Sequence, residues 1–284
     1  MERTVYVNGA FVAEGEAKIS VFDRGFLFAD GVYEVTSVLG GKLVDFPFHL
    51  RRLHRSLAAL DMPGPAGDAE LEAIHRALIA QNALDEGMVY LQVTRGAADR
   101  DFAYPAAPEP SLVMFTQARA LADAPAGVHG IKVLTVPDIR WGRRDIKTVQ
   151  LLAPSMAKMM ARRAGCDDAW MVEDGFVTEG TSNNAWIVTT DGALVTRALS
   201  AAILHGITRA AVMEYAREAQ MRIEERAFTV AEAMGAAEAF ITAATAFVTP
   251  VVAIDGRQVG DGVPGPVTTR LRAIYVAESR RRAR

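Results

Sequence analysis

The chain has 284 residues, half of them apolar, a formal net charge of −3 and one cysteine, Cys166. That length exceeds one typical domain, and the apolar content suffices for a sizeable core. A near-neutral charge exerts no general pull toward nucleic acid or membrane, a lone cysteine excludes an intrachain disulfide framework, and no apolar run reaches the length of a membrane span. Arginine outnumbers lysine 26 to 5, which is in line with a GC-rich genome and is not read as phosphate binding. Glu2 and Arg3 lead directly into a strand pattern, so no signal peptide is expected, and a reducing, cytoplasmic location is expected with it. No metal is predicted.

In chain order, Val5-Tyr6-Val7, Asn8-Gly9 and Ala10-Phe11-Val12 spell strand, turn and strand. Val32 to Leu39 suits a strand, with a Gly40-Gly41 turn and a short return at Leu43-Val44. Pro47 opens a helix in which Phe48, Leu50, Leu53, Leu57 and Leu60 keep helical spacing. A second helix is predicted over 70–81, then strands over 89–94 and 112–115. The stretch 119–130 is rich in Ala, Pro and Gly and has no period, so it reads as a linker. The predicted organisation is therefore an N-terminal α/β domain (1–118), a linker (119–130) and a C-terminal domain (131–284).

Beyond the linker the pattern predicts a strand over 132–136 and a helix over 151–164. Strand pairs come next, around Asp174-Gly175 and Asp191-Gly192. A helix over 207–220, a short helix, strands near Phe240 and Val251 and a last helix from Pro266 complete the chain. The basic tail, Arg280 to Arg284, reads as a solvated helix end.

Two short signatures stand about thirty residues apart in the second half: Trp141-Gly142-Arg143-Arg144-Asp145-Ile146-Lys147 and Thr178-Glu179-Gly180-Thr181-Ser182-Asn183-Asn184. A lysine that can form an imine and a carboxylate that can hold a protonated ring nitrogen are what a pyridoxal phosphate enzyme needs most. Lys147 is followed by Val149, Leu151 and Leu152, a setting that can desolvate its ammonium and favour imine chemistry. A surface lysine at a helix entrance fits the same local context.

Seven segments occur in one order along nearly the whole chain: RGFLFADGVYEV, HLRRL at His49 to Leu53, VTRG at Val93 to Gly96, RWGRRDIK, TEGTSNN, HGITR at His205 to Arg209, and TPV at Thr249 to Val251. Together they resemble the fold type IV pyridoxal-phosphate aminotransferases and, within that family, the D-amino acid aminotransferases. The resemblance implies a mixed α+β and α/β fold. A small N-terminal α/β domain would be followed by a larger domain with a barrel-like sheet, and the cofactor would be pyridoxal 5′-phosphate.

Residue by residue, the resemblance makes Lys147 the catalytic lysine that binds the cofactor and moves the substrate proton. Glu179 becomes the carboxylate facing the pyridine nitrogen. Arg52 becomes the phosphate-binding arginine, although Arg51 and Arg55 share its helix as surface charges. Ser182 and Asn184 fall in the same signature as Glu179 and are expected at the cofactor. Ile207 and Thr208 open a helix whose N–H groups suit a phosphate, and Thr245 would add a hydroxyl. Two alanines precede it where the family carries serine or threonine.

For substrate, Tyr33 matches the family's carboxylate-binding tyrosine and Arg100 the arginine of an Arg-x-His element that the family contributes from the neighbouring subunit, while Phe102 stands where that pattern has the histidine. An ordinary exposed pairing of Arg100 with Asp99 or Asp101 is the alternative for that loop. The implied reaction is ping-pong transfer of an amino group from a D-amino acid such as D-alanine to a 2-oxo acid, in a homodimer that shares residues across its interface. An (R)-selective amine transaminase is the alternative. A branched-chain L-amino acid transaminase, which the DGVYEV wording disfavours, and an aminodeoxychorismate lyase stand behind it.

Overall fold

The computed structural model describes residues 2–284 and gathers them into two compact units. The first runs to Ala120 and takes in Ile146–Gln150 and Arg282–Arg284; the second holds Leu121–Asp145 and Leu151–Arg281.

The first unit contains β1 (Thr4–Val7), β2 (Ala10–Ala13), α1 (Arg24–Phe28), β3 (Gly31–Leu39), β4 (Lys42–Leu43), α2 (Phe46–Ala59), α3 (Asp68–Gln81), β5 (Glu86–Thr94) and β6 (Ser111–Ala118). The six strands form one antiparallel sheet in the order β2-β1-β6-β5-β3-β4. Side chains alternate between the two faces of β3. Val32, Glu34, Thr36 and Val38 are buried, while Tyr33 and Val35 turn to the opposite face and are partly open.

Helix α2 has Pro47 in its first turn, where a missing N–H is harmless. Leu53 and Leu57 enter the core with Val32, Val38, Leu71, Leu78, Leu91 and Ile146. The same buried side of α2 carries His49, Arg52 and Ser56.

Sequence periodicity does not reveal α1. It is five residues long and contains a glycine, yet Asp23 caps it by accepting from Gly25 N at 2.8 Å. Gly25 is required there, because a Cβ would lie 2.2 Å from Thr94 Cγ2.

The second unit contains α4 (Pro125–His129), β7 (Ile131–Pro137), α5 (Leu152–Arg163), β8 (Asp168–Glu173), β9 (Phe176–Gly180), β10 (Asn184–Val188), β11 (Leu194–Thr196), α6 (Ile207–Glu218), β12 (Ile223–Glu225), α7 (Val230–Met234), β13 (Glu238–Ala243), β14 (Phe247–Ile254), β15 (Arg257–Gln258) and α8 (Pro266–Arg282). Its sheet runs β12-β11-β10-β13-β14-β7-β8-β9, with β15 paired to β14. β9 ends that path, yet only Thr181–Asn183 separate it from β10 in the chain. The free edge must therefore curl back toward β10, and the sheet closes toward a barrel. Trp170 packs on one face of it with Val177, Ile187, Val195 and Ile241, while Trp186, on the opposite face, stacks on Phe240; both are fully buried. The mixed α/β architecture and the barrel-like sheet implied by the resemblance are both present.

The stretch 119–130 is not a bare connector. Leu121 and Ala122 are buried, and Arg272 Nη2 donates to both of their carbonyls at 2.8 Å. α4 lies within it, so chain from Leu121 onward folds with the second unit. Likewise Ile146–Gln150, read from sequence as part of the second domain, packs with the first unit. At the C-terminus the backbone of Arg284 exchanges hydrogen bonds with Leu43, while its side chain stays exposed. Among the described residues no helix is long and apolar enough to cross a membrane.

His75, on α3, is 1% exposed, with Nδ1 2.6 Å from Leu71 O and its ring against Phe46. Burial lowers its pKa from 6.5 to about 4. Below about pH 6.5 the unfolded chain takes a proton that the folded chain refuses, so this stability contribution is present above that pH and lost as pH falls toward 4. Between about pH 7 and pH 5 the loss is on the order of 2 kcal/mol. His75→Leu should remove that share. Urea midpoints of wild type and variant at the two pH values measure it, and parallel falls would refute the assignment.

Candidate active site

The lysine segment docks on β3 as a short extra strand. Tyr33 N donates to Lys147 O at 3.0 Å, Val149 N donates to Gly31 O at 3.0 Å, and Val32 bridges Thr148. Lys147 N donates to Ser56 Oγ at 3.3 Å, and Ile146 anchors the segment in the core. The half-buried Lys147 side chain places Nζ 4.0 Å from the centre of the Tyr33 ring. Tyr33 stacks on Tyr90, and Tyr90 on Phe115, so the amine rests at the end of three stacked rings. Cation and π-face attract each other there.

Tyr33's chain neighbour points the other way. Glu34, 3% exposed, accepts from Arg52 Nε and Nη2, both at 2.7 Å. His49 Nδ1 lies 2.8 Å from Glu34 Oε2, and an acceptor-only carboxylate requires the proton on that nitrogen. Burial alone would raise the Glu34 pKa; Arg52 and His49 outweigh it and hold the carboxyl well below its ordinary range. Arg52 is thereby fixed as a two-pronged fork, whereas Arg51 and Arg55 on the same helix are exposed.

In the second unit Glu179 stands near the end of β9. Arg140 Nη1 donates to its Oε1 at 2.5 Å, Asn184 Nδ2 to Oε2 at 3.0 Å, and Leu204 N to both oxygens at 3.1 Å. Asp138 chelates Arg140 through Nε and Nη2 and also accepts from Thr178 Oγ1 at 2.7 Å. Burial pushes the Glu179 pKa up, and Arg140 and the Leu204 N–H offset this in part. Asp138 moves down instead, because hydrogen bonds and charge from Arg140 exceed its own burial effect.

Asn184 gathers the other predicted residues of this unit. Its Nδ2 also donates to Leu204 O at 2.9 Å. A Cβ on Gly206, the cap of α6, would lie 2.0 Å from Asn184 Oδ1, so the helix start is seated directly against it. Ile207 opens α6. Thr208 is buried, with Oγ1 3.5 Å from the Tyr275 hydroxyl. Asn184 pairs with Thr242, which brings the half-buried Thr245, in the turn between β13 and β14, to the same end of the sheet. Ser182 is exposed in the β9–β10 turn, which Asp168 holds by accepting from Thr181 Oγ1 and Asn183 Nδ2.

Arg100 and Phe102 lie on an exposed loop of the first unit, Phe102 at 80% exposure. The Arg100 guanidinium is 5.4 Å from the Phe28 ring and 5.7 Å from that of Phe102. Among the described residues it forms no ion pair with Asp99 or Asp101, so the ordinary surface pairing weighed for it is not observed.

Sequence reading misses Asp138, Arg140 and Leu204 around Glu179, and Glu34, His49 and Ser56 behind Arg52 and Lys147. HLRRL, RWGRRDIK and RGFLFADGVYEV contain three of them, but no spacing rule says which partner each will meet.

The family model for amino-transferase class IV matches residues 31–254, and the chain belongs to that family. It is therefore a pyridoxal phosphate-dependent transaminase. It is 37% identical over 264 residues to D-alanine aminotransferase of Bacillus licheniformis, covering 93% of each chain. With D-alanine aminotransferase of Listeria monocytogenes serotype 4b it shares 37% over 276 residues, 96% of this chain and 95% of the relative.

Among solved structures it is similar to a branched-chain amino acid aminotransferase of Escherichia coli, with a TM-score of 0.90 at 23% identity over 98% of this chain and 94% of that one. It is also similar to the T.th. branched-chain amino acid aminotransferase with pyridoxamine 5′-phosphate, with a TM-score of 0.89 at 26% identity and the same coverage.

Breaking a buried ion pair from one side costs about 3–5 kcal/mol. Arg140→Met should therefore lower the thermal midpoint clearly, because it removes the guanidinium that Asp138 and Glu179 share, leaving only Arg144 near Asp138 and neutral donors on Glu179. Arg143→Met, which removes the exposed Arg143–Asp145 pair, should leave the midpoint unchanged. Similar melting of the two variants would show that the Asp138–Arg140–Glu179 chain is not a structural unit.

Proposed function

We propose that the chain transfers the amino group of a D-amino acid such as D-alanine to a 2-oxo acid, using Lys147 as the catalytic base. The observation that supports this best is the 37% identity to D-alanine aminotransferases across 93% of the chain. Tyr33 and Arg100, a hydroxyl and a guanidinium that suit a carboxylate, stand on the first unit in agreement with it.

The donor set suits the cofactor. Glu179 is a buried carboxylate with a raised pKa, suited to sharing a proton with a pyridine nitrogen. Arg52 offers a pre-oriented guanidinium, and the first turn of α6 offers N–H groups and the Thr208 hydroxyl, so both suit a phosphate. Ser182, Asn184, Ile207 and Thr245 belong to the same proposed shell. Bound pyridoxal phosphate supplies the sink for the electron pair left when the substrate Cα–H bond breaks.

The residues divide the remaining work. With the cofactor bound, the Lys147 amine would hold it and, once freed by a donor amine, would take the substrate Cα proton and return it to the bound group. The ring beneath Nζ keeps that amine to one side while it does so. Arg100, supplied across the homodimer interface, would hold the α-carboxylate together with Tyr33. Hydrolysis, consuming one water, would release the donor as a 2-oxo acid and leave its amino group with the holoenzyme; a second 2-oxo acid would take that group up by the reverse sequence, returning the water. A homodimer and a cytoplasmic setting go with this reading.

A second reading has one observation behind it. Phe102 replaces a polar carboxylate ligand with an exposed apolar ring, which suits donors without a carboxylate, as in an (R)-selective amine transaminase. A donor panel separates these readings. D-alanine with 2-oxoglutarate should turn over, and L-leucine should not. Faster turnover of (R)-1-phenylethylamine would transfer the assignment to amines, and turnover of L-leucine alone to branched-chain substrates. Lys147→Ala should abolish the yellow covalent complex; a coloured, active variant would end the role given to that lysine.

Arg100→Ala should weaken D-amino acid use by about 1.5–3 kcal/mol, the scale of a hydrogen bond to a charged group, and spare amines. Equal losses of kcat/KM for both donor classes would remove Arg100 from carboxylate binding.

A further inference from the structure

The first unit also holds a buried ionic cluster that none of these steps uses. Asp30 Oδ2 accepts from Arg24 Nε and from Arg95 Nε, both at 2.8 Å. The two arginines are 3% and 1% exposed. Two guanidinium groups on one carboxylate leave an excess positive charge in a desolvated place, which is costly unless further acceptors meet it. Backbone carbonyls do so. Arg95 donates to Leu60 O and Asp61 O at 2.7 and 3.0 Å. Arg24 Nη1 donates to Asp101 O at 2.6 Å and Ala103 O at 3.3 Å. The Tyr104 ring covers the Arg95 guanidinium at 3.5 Å.

The destination of the Arg24 bonds is what matters. The carbonyls of Asp101 and Ala103 flank Phe102, and Arg100 is the next residue back. The root of the same loop is tied to α1 as well: Arg24 N donates to Gly96 O at 2.9 Å, Ala98 N donates to Phe22 O at 3.2 Å, and Asp23 bridges Ala97. Phe28, the last residue of α1, supports the side chains, edge-on to the Phe102 ring at 5.6 Å and 5.4 Å from the Arg100 guanidinium. Residues 98–110 have no regular secondary structure, so these bonds take the place of a ladder.

We propose that Arg24, locked by Asp30 and Arg95, is a positioning residue for substrate recognition: it presents Arg100, with Phe102 two residues on, in the orientation that meets the substrate's α-carboxylate. This rests on the reading of Arg100 as the carboxylate ligand. Holding the loop beforehand lowers the ordering cost of binding. Its loss should therefore raise KM and leave the chemical step alone.

The test uses the cofactor-loaded protein with D-alanine as donor, in Arg24→Met and in the gentler Tyr104→Ala, whose ring is 54% exposed. Both should raise the D-alanine KM, Arg24→Met by about tenfold or more. Both should keep kcat within about twofold, retain their cofactor and speed hydrogen exchange of the 97–104 amides. Arg100→Ala is run beside them. If it raises KM while the other two change neither KM nor exchange, the positioning role is overturned and the carboxylate reading survives. If Arg100→Ala leaves KM unchanged, the carboxylate reading fails, and this proposal with it. A fall in kcat equal to the rise in KM would make Arg24 a general support of the fold and also overturn the proposal. If Arg24→Met does not fold, KM and exchange in Tyr104→Ala decide.

Discussion

The catalytic lysine proposed for this chain depends on one backbone seam. Ile146–Gln150 is flanked on both sides by chain that packs into the second unit, yet it is joined to β3 by Tyr33 N to Lys147 O and Val149 N to Gly31 O. The amine is therefore aimed by the N-terminal sheet. The two-residue period of β3 then divides tasks between neighbours. Tyr33 lies under the amine, and Glu34, one position on, faces α2 and grips Arg52. A slip of one residue in the β3–β5 register would exchange those faces and undo both arrangements, which accounts for the long, regular pairing from Gly31–Thr94 to Leu39–Glu86.

Two buried glutamates show how partners, rather than burial, set a carboxylate's task. Glu34 and Glu179 are each 3% exposed, but their pKa values move in opposite directions. Glu34 receives both prongs of Arg52 and a histidine N–H. Glu179 receives one prong of Arg140, whose other donors are committed to Asp138. The first is held as a permanent anion and serves as a structural clamp. The second keeps its charge less firmly, which fits the proton-sharing role proposed for it.

Much of this was legible in the sequence, in proportion to how local the signal is. Helical spacing placed α2, α3, α5 and α6, and alternation with Asn-Gly and Asp-Gly turns placed most strands. α1 and α4 escaped because five residues are too few to show a period, and each holds a glycine that works through tertiary contact. Lys147 and Glu179 stood out because each lies in a distinctive run. Their supports did not, because Glu34 meets Arg52 across 18 residues and Arg140 meets Glu179 across 39. Those distances are set by sheet order and helix docking, and no spacing in a linear pattern encodes them. The placement of 146–150 with the first unit was hidden for the same reason.

Likeness of backbone and likeness of sequence measure different things. Solved structures that superpose on this chain with TM-scores of 0.90 and 0.89 are branched-chain aminotransferases at 23% and 26% identity, whereas D-alanine aminotransferases share 37% of its sequence. A superposition weighs every backbone position alike, and most of those positions serve sheet pairing and core packing. Residues that choose a substrate are few. Phe102, proposed above to face the substrate, stands 80% exposed on its loop, where a change of side chain disturbs no core contact and leaves the backbone comparison untouched. The buried clamp behind that loop is different, because Arg24, Asp30 and Arg95 cannot be altered singly without leaving buried hydrogen-bond partners unmet. A loop whose frame is held by a buried network and whose tip is free can change what it recognises while the fold beneath it stays the same.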